Sequence, residues 1–123
     1  VYIAPGSYHM FVDHRPLGNF IKLSQDAPRN GHRPSCDVLF ESIAKYFQNR
    51  ALGVIMTGMG RDGAAQIKKK KKKGAWTLGQ DKDSSIVYGM PKVAFEMGGV
   101  QKQVTLNDMA KEISALAKEH LLH

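Results

Sequence analysis

A short apolar segment that runs directly into a glycine-rich loop constrains this chain more than any other feature. Residues 52–56 (LGVIM) carry no polar side chain, and residues 57–63 read TGMGRDG. An unbroken apolar run of this length is typical of a strand buried on both faces of a parallel sheet. Ala64 then begins a segment suited to a helix. We therefore predict a central strand whose carboxyl end leads through a glycine loop into a helix.

The rest of the chain alternates between strand-like and helix-like segments. Strands are predicted at residues 1–4, 9–12, 19–23, 75–78 and 100–106, of which the second and third are expected to form a hairpin. Helices are predicted between Ser35 and about Asn49, from Ala64 to a stop at Gly74, from Met90 to residue 96 or 97, and after a cap at Asn107. The 123 residues suffice for one domain. This order predicts an α/β fold with a doubly wound, mostly parallel sheet and helices on both faces.

The first predicted helix has a polar start and one apolar face. Ser35 is expected to be its N-cap, and Asp37 places a negative charge in the first turn, where free backbone N–H groups favour it. Apolar side chains recur at spacings of three and four, at Val38, Leu39, Ile43, Ala44 and Phe47. The helix is therefore expected to pack one face against the sheet.

Six consecutive lysines at residues 68–73 account for most of the formal charge of +7. Without them, 12 basic and 11 acidic side chains remain. The run lacks interleaved aromatic residues or scattered arginines that would read bases or grip phosphates, so a nucleic-acid partner is not expected. The helix period, however, places the core face near positions 70, 71 and 74, and a lysine buried there is costly. A solvated face explains only part of the run, and a second interpretation is that some of these identities differ from the natural sequence.

Two further features limit the environment of the protein. No apolar run approaches the roughly 20 residues that a membrane span needs, and no basic-then-apolar leader opens the sequence, so membrane insertion is not expected. Cys36 is the single cysteine and cannot form an internal disulfide. These features favour a cytoplasmic protein.

The loop after residues 52–56 is the best candidate for chemistry. Asp62 is expected at the carboxyl end of a buried strand and close to a helix start, where a carboxylate stays ionised. This is what a Ser-His-Asp triad needs from its aspartate, which orients the histidine and stabilises the imidazolium. Two alternatives remain open, since Asp62 could simply cap the helix, and glycines 58, 60 and 63 have the spacing of a nucleotide-binding loop. Arg61 and Asp62 stand where phosphates would approach, which disfavours the nucleotide.

Four ordered motifs resemble those of one enzyme family. They are IAPG at residues 3–6 with His9 and Met10, HRPS and DVLF at 32–35 and 37–40, TGMG and DGA at 57–60 and 62–64, and GMP at 89–91. In this order they resemble the C-terminal portion of the catalytic domain of bacterial chemotaxis protein-glutamate methylesterases (CheB). The resemblance extends over nearly the whole chain and weakens after about Val104, and the lysine run departs from the family pattern.

The resemblance implies hydrolysis of glutamate methyl esters on chemoreceptor cytoplasmic domains, and deamidation of certain receptor glutamines, by a Ser-His-Asp triad without a cofactor. Asp62 matches the triad aspartate, and the backbone N–H of Met59 matches a donor of the oxyanion hole. The family's serine and histidine match no position of this chain and are expected upstream, as is a phosphorylation-controlled receiver domain. The chain alone is therefore expected to be inactive.

The other candidate residues have structural alternatives. The residues Gly58, Gly60, Gln80, Ser84, Ser85 and Met90 are expected along the same sheet edge as Asp62, where they either line a cleft or shape ordinary loops. His9 and His32 are expected to be structural or site-lining, and His14, His120 and His123 exposed or terminal. No serine stands in a G-x-S-x-G elbow, and no metal-binding pattern is present in the sequence. A non-catalytic module that holds an acidic partner on the basic helix remains an alternative function, as does nucleotide binding.

Overall fold

The computed structural model describes residues 1–121, which contain five strands and four α-helices. Their order is β1 (His9–Arg15), β2 (Gly18–Ser24), α1 (Cys36–Phe47), β3 (Leu52–Ile55), α2 (Ala64–Lys72), β4 (Trp76–Gln80), α3 (Met90–Glu96), β5 (Lys102–Val104) and α4 (Leu106–Leu116). A 3₁₀ turn, Gln48–Arg50, follows α1, and a π-helical turn, Ala117–Leu121, follows α4. Among the described residues, no helix is both long and apolar enough to cross a membrane.

Strands β3, β4 and β5 form a parallel sheet in that order. The connections through α2 and α3 are βαβ crossovers, which is why neighbouring strands run parallel. Strand β4 lies in the middle, so the apolar run at residues 52–56 is the edge strand of the described sheet and not its centre, as the sequence had suggested. Its burial also alternates, because Leu52 and Val54 remain half-buried while Gly53 and Ile55 are buried.

Helices cover both faces of this sheet. On one face α1, α2 and α3 enclose a core that contains Phe40, Ile55, Ile67, Ala94 and Val100. On the other face α4 packs Met109 against Leu78 and Val104. The predicted α/β fold with helices on both faces is therefore confirmed. The antiparallel hairpin β1–β2 is also as predicted and packs beside α1.

Three local predictions were wrong. Residues 1–4 form no strand, because no strand in the described part of the chain lies beside them to share backbone hydrogen bonds. The predicted strand at 100–106 is shortened to Lys102–Val104. The cap of α4 is Thr105 and not Asn107, because the Thr105 hydroxyl accepts the backbone N–H of Asp108 and satisfies a donor that the helix leaves free.

The lysine run divides between core and surface. Lys70 is only 2% exposed, whereas Lys69, Lys72 and Lys73 are exposed and Lys71 donates to the carbonyl oxygen of Gly98 at 3.1 Å. The helix period thus correctly placed position 70 in the core, whereas Lys71 is only half-buried and Gly74 is exposed. Gly74, with φ of +96°, ends the helix as predicted.

An apolar groove of about 980 Å³ lies along the outer side of β3. Phe20 of the hairpin, Ile43 and Phe47 of α1, and Leu52 and Val54 of β3 are among the side chains that line it. Within residues 1–121, β3 pairs with β4 on one side only. The groove therefore follows the unpaired edge of the sheet, away from the loop that carries Asp62.

Candidate active site

The loop between β3 and α2 is held by close packing at two glycines. Gly63 is the N-cap of α2 and has φ of +92°, a conformation that favours glycine. A Cβ atom there would lie 3.1 Å from Cys36 Cβ and from Ile55 Cδ1. A Cβ atom on Gly58 would lie 2.6 Å from the Met90 sulfur. Because Gly63 is the cap residue, Asp62 is free to point away from α2, and its side chain does not cap that helix.

The Asp62 carboxylate is buried against the start of α1. Its Oδ1 accepts hydrogen bonds from Ser35 Oγ at 2.7 Å and from Asn30 Nδ2 at 2.9 Å, with the backbone N–H of Asp37 more distant at 3.4 Å. Its Oδ2 accepts the backbone N–H of Cys36 at 2.6 Å. The side chain is only 4% exposed, so these donors replace most of its contact with water.

The charge state of Asp62 follows from these contacts. Burial by itself raises the pKa of the carboxyl group, but hydrogen bonds from Ser35, Asn30 and the N–H groups of Cys36 and Asp37 outweigh it and lower the pKa below its ordinary value. Hydrogen bonds to the charged form favour that form. Asp62 is therefore a carboxylate at neutral pH.

Ser35 does not act as the sequence suggested. It occupies the N-cap position of α1 with extended backbone, but its side chain makes no capping hydrogen bond. The hydroxyl donates to Asp62 at 2.7 Å, and the Asp62 carboxylate, not the Ser35 hydroxyl, accepts the first N–H groups of α1, those of Cys36 and Asp37. Ser35 is itself only 4% exposed.

Asp37 also has a different role from the predicted one. Its Oδ1 accepts the backbone N–H of Gln66 at 3.1 Å, in the first turn of α2, and its Oδ2 accepts Asn30 Nδ2 at 2.6 Å. Asp37 therefore supplies a capping interaction to α2 from the neighbouring helix. Sequence reasoning missed Asn30, whose polar turn carried no signal beyond an Asn-Gly pair typical of turns.

The loop of Met59 is joined to the segment that precedes α3. The Gly58 N–H donates to the Val87 carbonyl at 3.0 Å, and the Gly58 carbonyl accepts the N–H of Met90 at 2.8 Å. The Met59 side chain is 80% exposed. Its N–H makes no hydrogen bond within residues 1–121, so this donor is available to a ligand at the sheet edge.

Gln80, Ser84 and Ser85 hold the neighbouring loop together. Gln80 is 1% exposed; its Oε1 accepts the Thr57 N–H and its Nε2 donates to the Ser84 carbonyl, both at 2.8 Å. The Ser84 hydroxyl donates to Asp81, and the Ser85 hydroxyl donates to the Asp81 carbonyl at 2.6 Å. These contacts connect the ends of β3 and β4. That these residues also line a cleft stays a prediction.

No histidine contacts Asp62 within residues 1–121. His9 is buried, and its Nε2 donates to the Ala27 carbonyl at 3.0 Å, whereas His32 is exposed. His14 and His120 are exposed as expected, and His123 lies outside the described residues. Residues 1–121 thus supply an ionised, oriented carboxylate and an available backbone donor, and none of their histidines contacts that carboxylate.

Known proteins are similar in sequence to this chain over most of its length. A family model described as CheB methylesterase matches residues 1–113. A protein-glutamate methylesterase/protein-glutamine glutaminase of Treponema pallidum is 56% identical over 118 residues, which is 96% of this chain and 29% of that protein. The corresponding protein of Treponema denticola is 54% identical over 97% of this chain and 32% of its own length. The chain therefore spans about a third of these relatives.

The fold has a solved counterpart. The crystal structure of the Thermotoga maritima CheB methylesterase catalytic domain superposes with a TM-score of 0.90 at 30% sequence identity. The match covers 94% of this chain and 61% of that domain. The overall similarity of fold and sequence thus extends across both faces of the sheet and the loop that carries Asp62.

Proposed function

Because this chain belongs to the CheB methylesterase family, we propose that it provides the aspartate part of a Ser-His-Asp hydrolase site. In this proposal the full-length protein hydrolyses methyl esters of glutamate side chains in chemoreceptors and deamidates certain receptor glutamines. The observation that carries it is the state of Asp62, which is buried, ionised and held by several donors at the carboxyl end of a parallel strand. A triad requires an aspartate in this state.

Each group then has a defined chemical task. Asp62 accepts the N–H of a histidine, fixes its tautomer and stabilises the imidazolium that forms when the histidine takes the proton of a serine. The serine attacks the ester or amide carbon, and the imidazolium gives its proton to the methanol or ammonia that leaves. Water, deprotonated by the same histidine, then hydrolyses the acyl-serine to the glutamate carboxylate and regenerates the serine. The Met59 N–H, which has no partner in residues 1–121, donates to the oxyanion of the tetrahedral intermediate. No step requires a metal or an organic cofactor.

We propose further that these residues are the C-terminal portion of the catalytic domain. The serine and histidine then come from chain that precedes them, and that part of the domain covers the apolar groove beside β3. The groove of about 980 Å³ and the unpaired edge of β3 support this arrangement. The isolated chain is expected to be inactive, since it lacks both the nucleophile and the base.

The proposed partners follow from the same assignment. They are methylated cytoplasmic domains of chemoreceptors and a receiver domain elsewhere in the full-length protein, and the proposed location is the cytoplasm. Nucleotide binding at the glycine loop is disfavoured, because the carboxylate of Asp62 would repel phosphates and the carbonyl and N–H of Gly58 already pair within the protein.

The test is Asp62→Ala in the full-length protein, with methanol release from methylated receptor as the assay. We expect kcat/KM to fall by several orders of magnitude, as when a triad loses its carboxylate. Asp83→Asn, a change at an exposed residue of the neighbouring loop, is the matched control and should leave the rate unchanged. Full activity of a folded Asp62→Ala protein would show that the proposal is wrong.

A further inference from the structure

One side-chain amide joins two buried carboxylates in this site. Asn30 Nδ2 lies 2.9 Å from Asp62 Oδ1 and 2.6 Å from Asp37 Oδ2. Both acceptors are carboxylates of aspartates that are less than 5% exposed. The amide nitrogen, with two hydrogens, must face them, since the amide oxygen in this place would oppose two negative charges. Asn30 thus gives one hydrogen to each aspartate.

The hydrogen bonds to Asp62 are distributed unequally between its oxygens. Oδ1 accepts two short hydrogen bonds, from Ser35 and Asn30, whereas Oδ2 accepts one, from the Cys36 N–H. A carboxylate oxygen has two lone-pair positions. Oδ1 is therefore saturated within residues 1–121, and Oδ2 keeps one acceptor position.

We propose that Ser35, Asn30 and Asp37 are positioning residues that saturate Oδ1 of Asp62 and so reserve Oδ2 for the N–H of the catalytic histidine. This inference rests on the proposed function. Ser35 and Asn30 act directly on the carboxylate, whereas Asp37 acts through Asn30. Together they determine which oxygen faces the histidine and prevent the carboxylate from rotating about its Cβ–Cγ bond.

Asp37 connects this arrangement to the scaffold. Besides Asn30 it binds the Gln66 N–H at 3.1 Å, so it fixes the start of α2 relative to α1. Asp62 stands two residues before that helix. The same carboxylate therefore holds both the element that carries Asp62 and the amide that orients it, and a change at Asp37 should reach the reaction only through this orientation.

The first test is Ser35→Ala in the full-length protein, measured as kcat and KM for ester hydrolysis on folded enzyme. Loss of a hydrogen bond to a charged group should lower kcat about tenfold or more, with KM unchanged, because only the orientation of the triad changes. Ser35→Thr keeps the hydroxyl on an extended backbone and should restore most of kcat. Ser42→Ala is the matched control, since Ser42 is a serine of α1 whose hydroxyl binds the Leu39 carbonyl and the Val12 N–H, away from Asp62.

A second variant avoids any change in α1. Asn30 lies in an exposed turn with φ of +56°, so Asn30→Gly suits the backbone and removes only the amide. We expect the same loss in kcat. Asp37→Asn should lower kcat in the wild type and should lower it less in the Asn30→Gly background, because the contact with Asn30 is then already absent and only the contact with the Gln66 N–H is changed.

The outcomes separate this inference from the proposed function. If Asp62→Ala is inactive while Ser35→Ala and Asn30→Gly keep the kcat of Ser42→Ala, the positioning role is wrong and the triad assignment stands. Equal losses in Ser35→Ala and Ser35→Thr would also overturn it, since the hydroxyl would then not be responsible. If Asp62→Ala is active, the proposed function is wrong, and this inference is wrong with it because it rests on that function.

Discussion

The amine of Lys70 lies 5.1 Å from the centre of the Phe40 ring, in a side chain that is only 2% exposed. No carboxylate in the described part of the chain pairs with it. The ring face gives a partial substitute for a counter-ion, but burial lowers the pKa of Lys70 from its ordinary 10.5 to about 8. The buried amine of Lys70 therefore destabilises the folded protein.

Lys70→Met should stabilise the full-length protein at pH 7 by about 3 kcal/mol, the free energy that corresponds to a fall in the lysine pKa from 10.5 to about 8. Below pH 8 wild-type Lys70 is protonated in both states and the cost is complete. Between pH 8 and 10.5 the folded protein binds fewer protons than the unfolded one, so wild-type stability recovers as pH rises. The advantage of the variant, measured by chemical denaturation, should therefore shrink over this interval.

Lys72→Met is the matched control, because Lys72 belongs to the same run but is exposed. It should change the free energy of unfolding little at any pH. A Lys70→Met protein that is less stable than wild type at pH 7 would contradict the assignment of a destabilising amine.

Gln80→Leu should weaken the connection between the ends of β3 and β4. Leucine fills a similar volume but leaves the Thr57 N–H and the Ser84 carbonyl without the partners that Gln80 provides at 2.8 Å. We expect a loss of about 1–3 kcal/mol in the free energy of unfolding and faster hydrogen exchange at Thr57. Gln103→Leu, at an exposed position, is the control; equal effects of the two changes would contradict the structural role of Gln80.

Gly63→Ala tests the packing beneath the Asp62 loop. An alanine there would adopt φ of +92° and bring its Cβ within 3.1 Å of two side-chain atoms of Cys36 and Ile55. Gly98→Ala is the matched control, because Gly98 has φ of +80° but no atom within 4 Å of the added Cβ. Backbone strain of about 1–3 kcal/mol is expected in both. Thermal unfolding should show the larger loss for Gly63→Ala, and equal losses would mean that the loop relaxes freely.

The sequence was sufficient to predict the scaffold of the site. The apolar run at residues 52–56, the glycines after it and the helix period at position 70 are local patterns, and they correctly indicated a strand, a loop and a buried face. The predicted strand at residues 1–4 was wrong, because a strand exists only where a neighbouring strand pairs with it. The prediction that β3 is buried on both faces was wrong because Leu52 and Val54, at the edge of the described sheet, line the open groove and stay half-buried.

The surroundings of Asp62 could not be predicted in this way. Its side-chain donors Ser35 and Asn30 lie 27 and 32 positions away in sequence. The sequence explained Ser35 as an N-cap and Asp37 as a charge in the first turn of its own helix. It gave no indication that Ser35 binds the carboxylate of Asp62 or that Asp37 binds the start of α2. Only the packing of α1 beside the β3–α2 loop brings these groups together.

Asp62 should also contribute to acid stability, with a sign fixed by its lowered pKa. The folded carboxyl group binds a proton less readily than the unfolded one, so its contribution is complete above the unfolded pKa and is lost as pH falls through the folded value. In Asp62→Asn the carboxylate is replaced by a neutral amide. Its oxygen is a weaker acceptor, and its nitrogen cannot accept hydrogen bonds from Ser35, Asn30 or Cys36. Wild type should therefore be more stable than Asp62→Asn near pH 7, and the difference should diminish as the solution is acidified below the ordinary aspartate range. Chemical denaturation of the full-length proteins across this range measures it, with the exposed Asp83→Asn as control. A difference that stays constant with pH would mean that the hydrogen bonds at Asp62 do not depend on its charge.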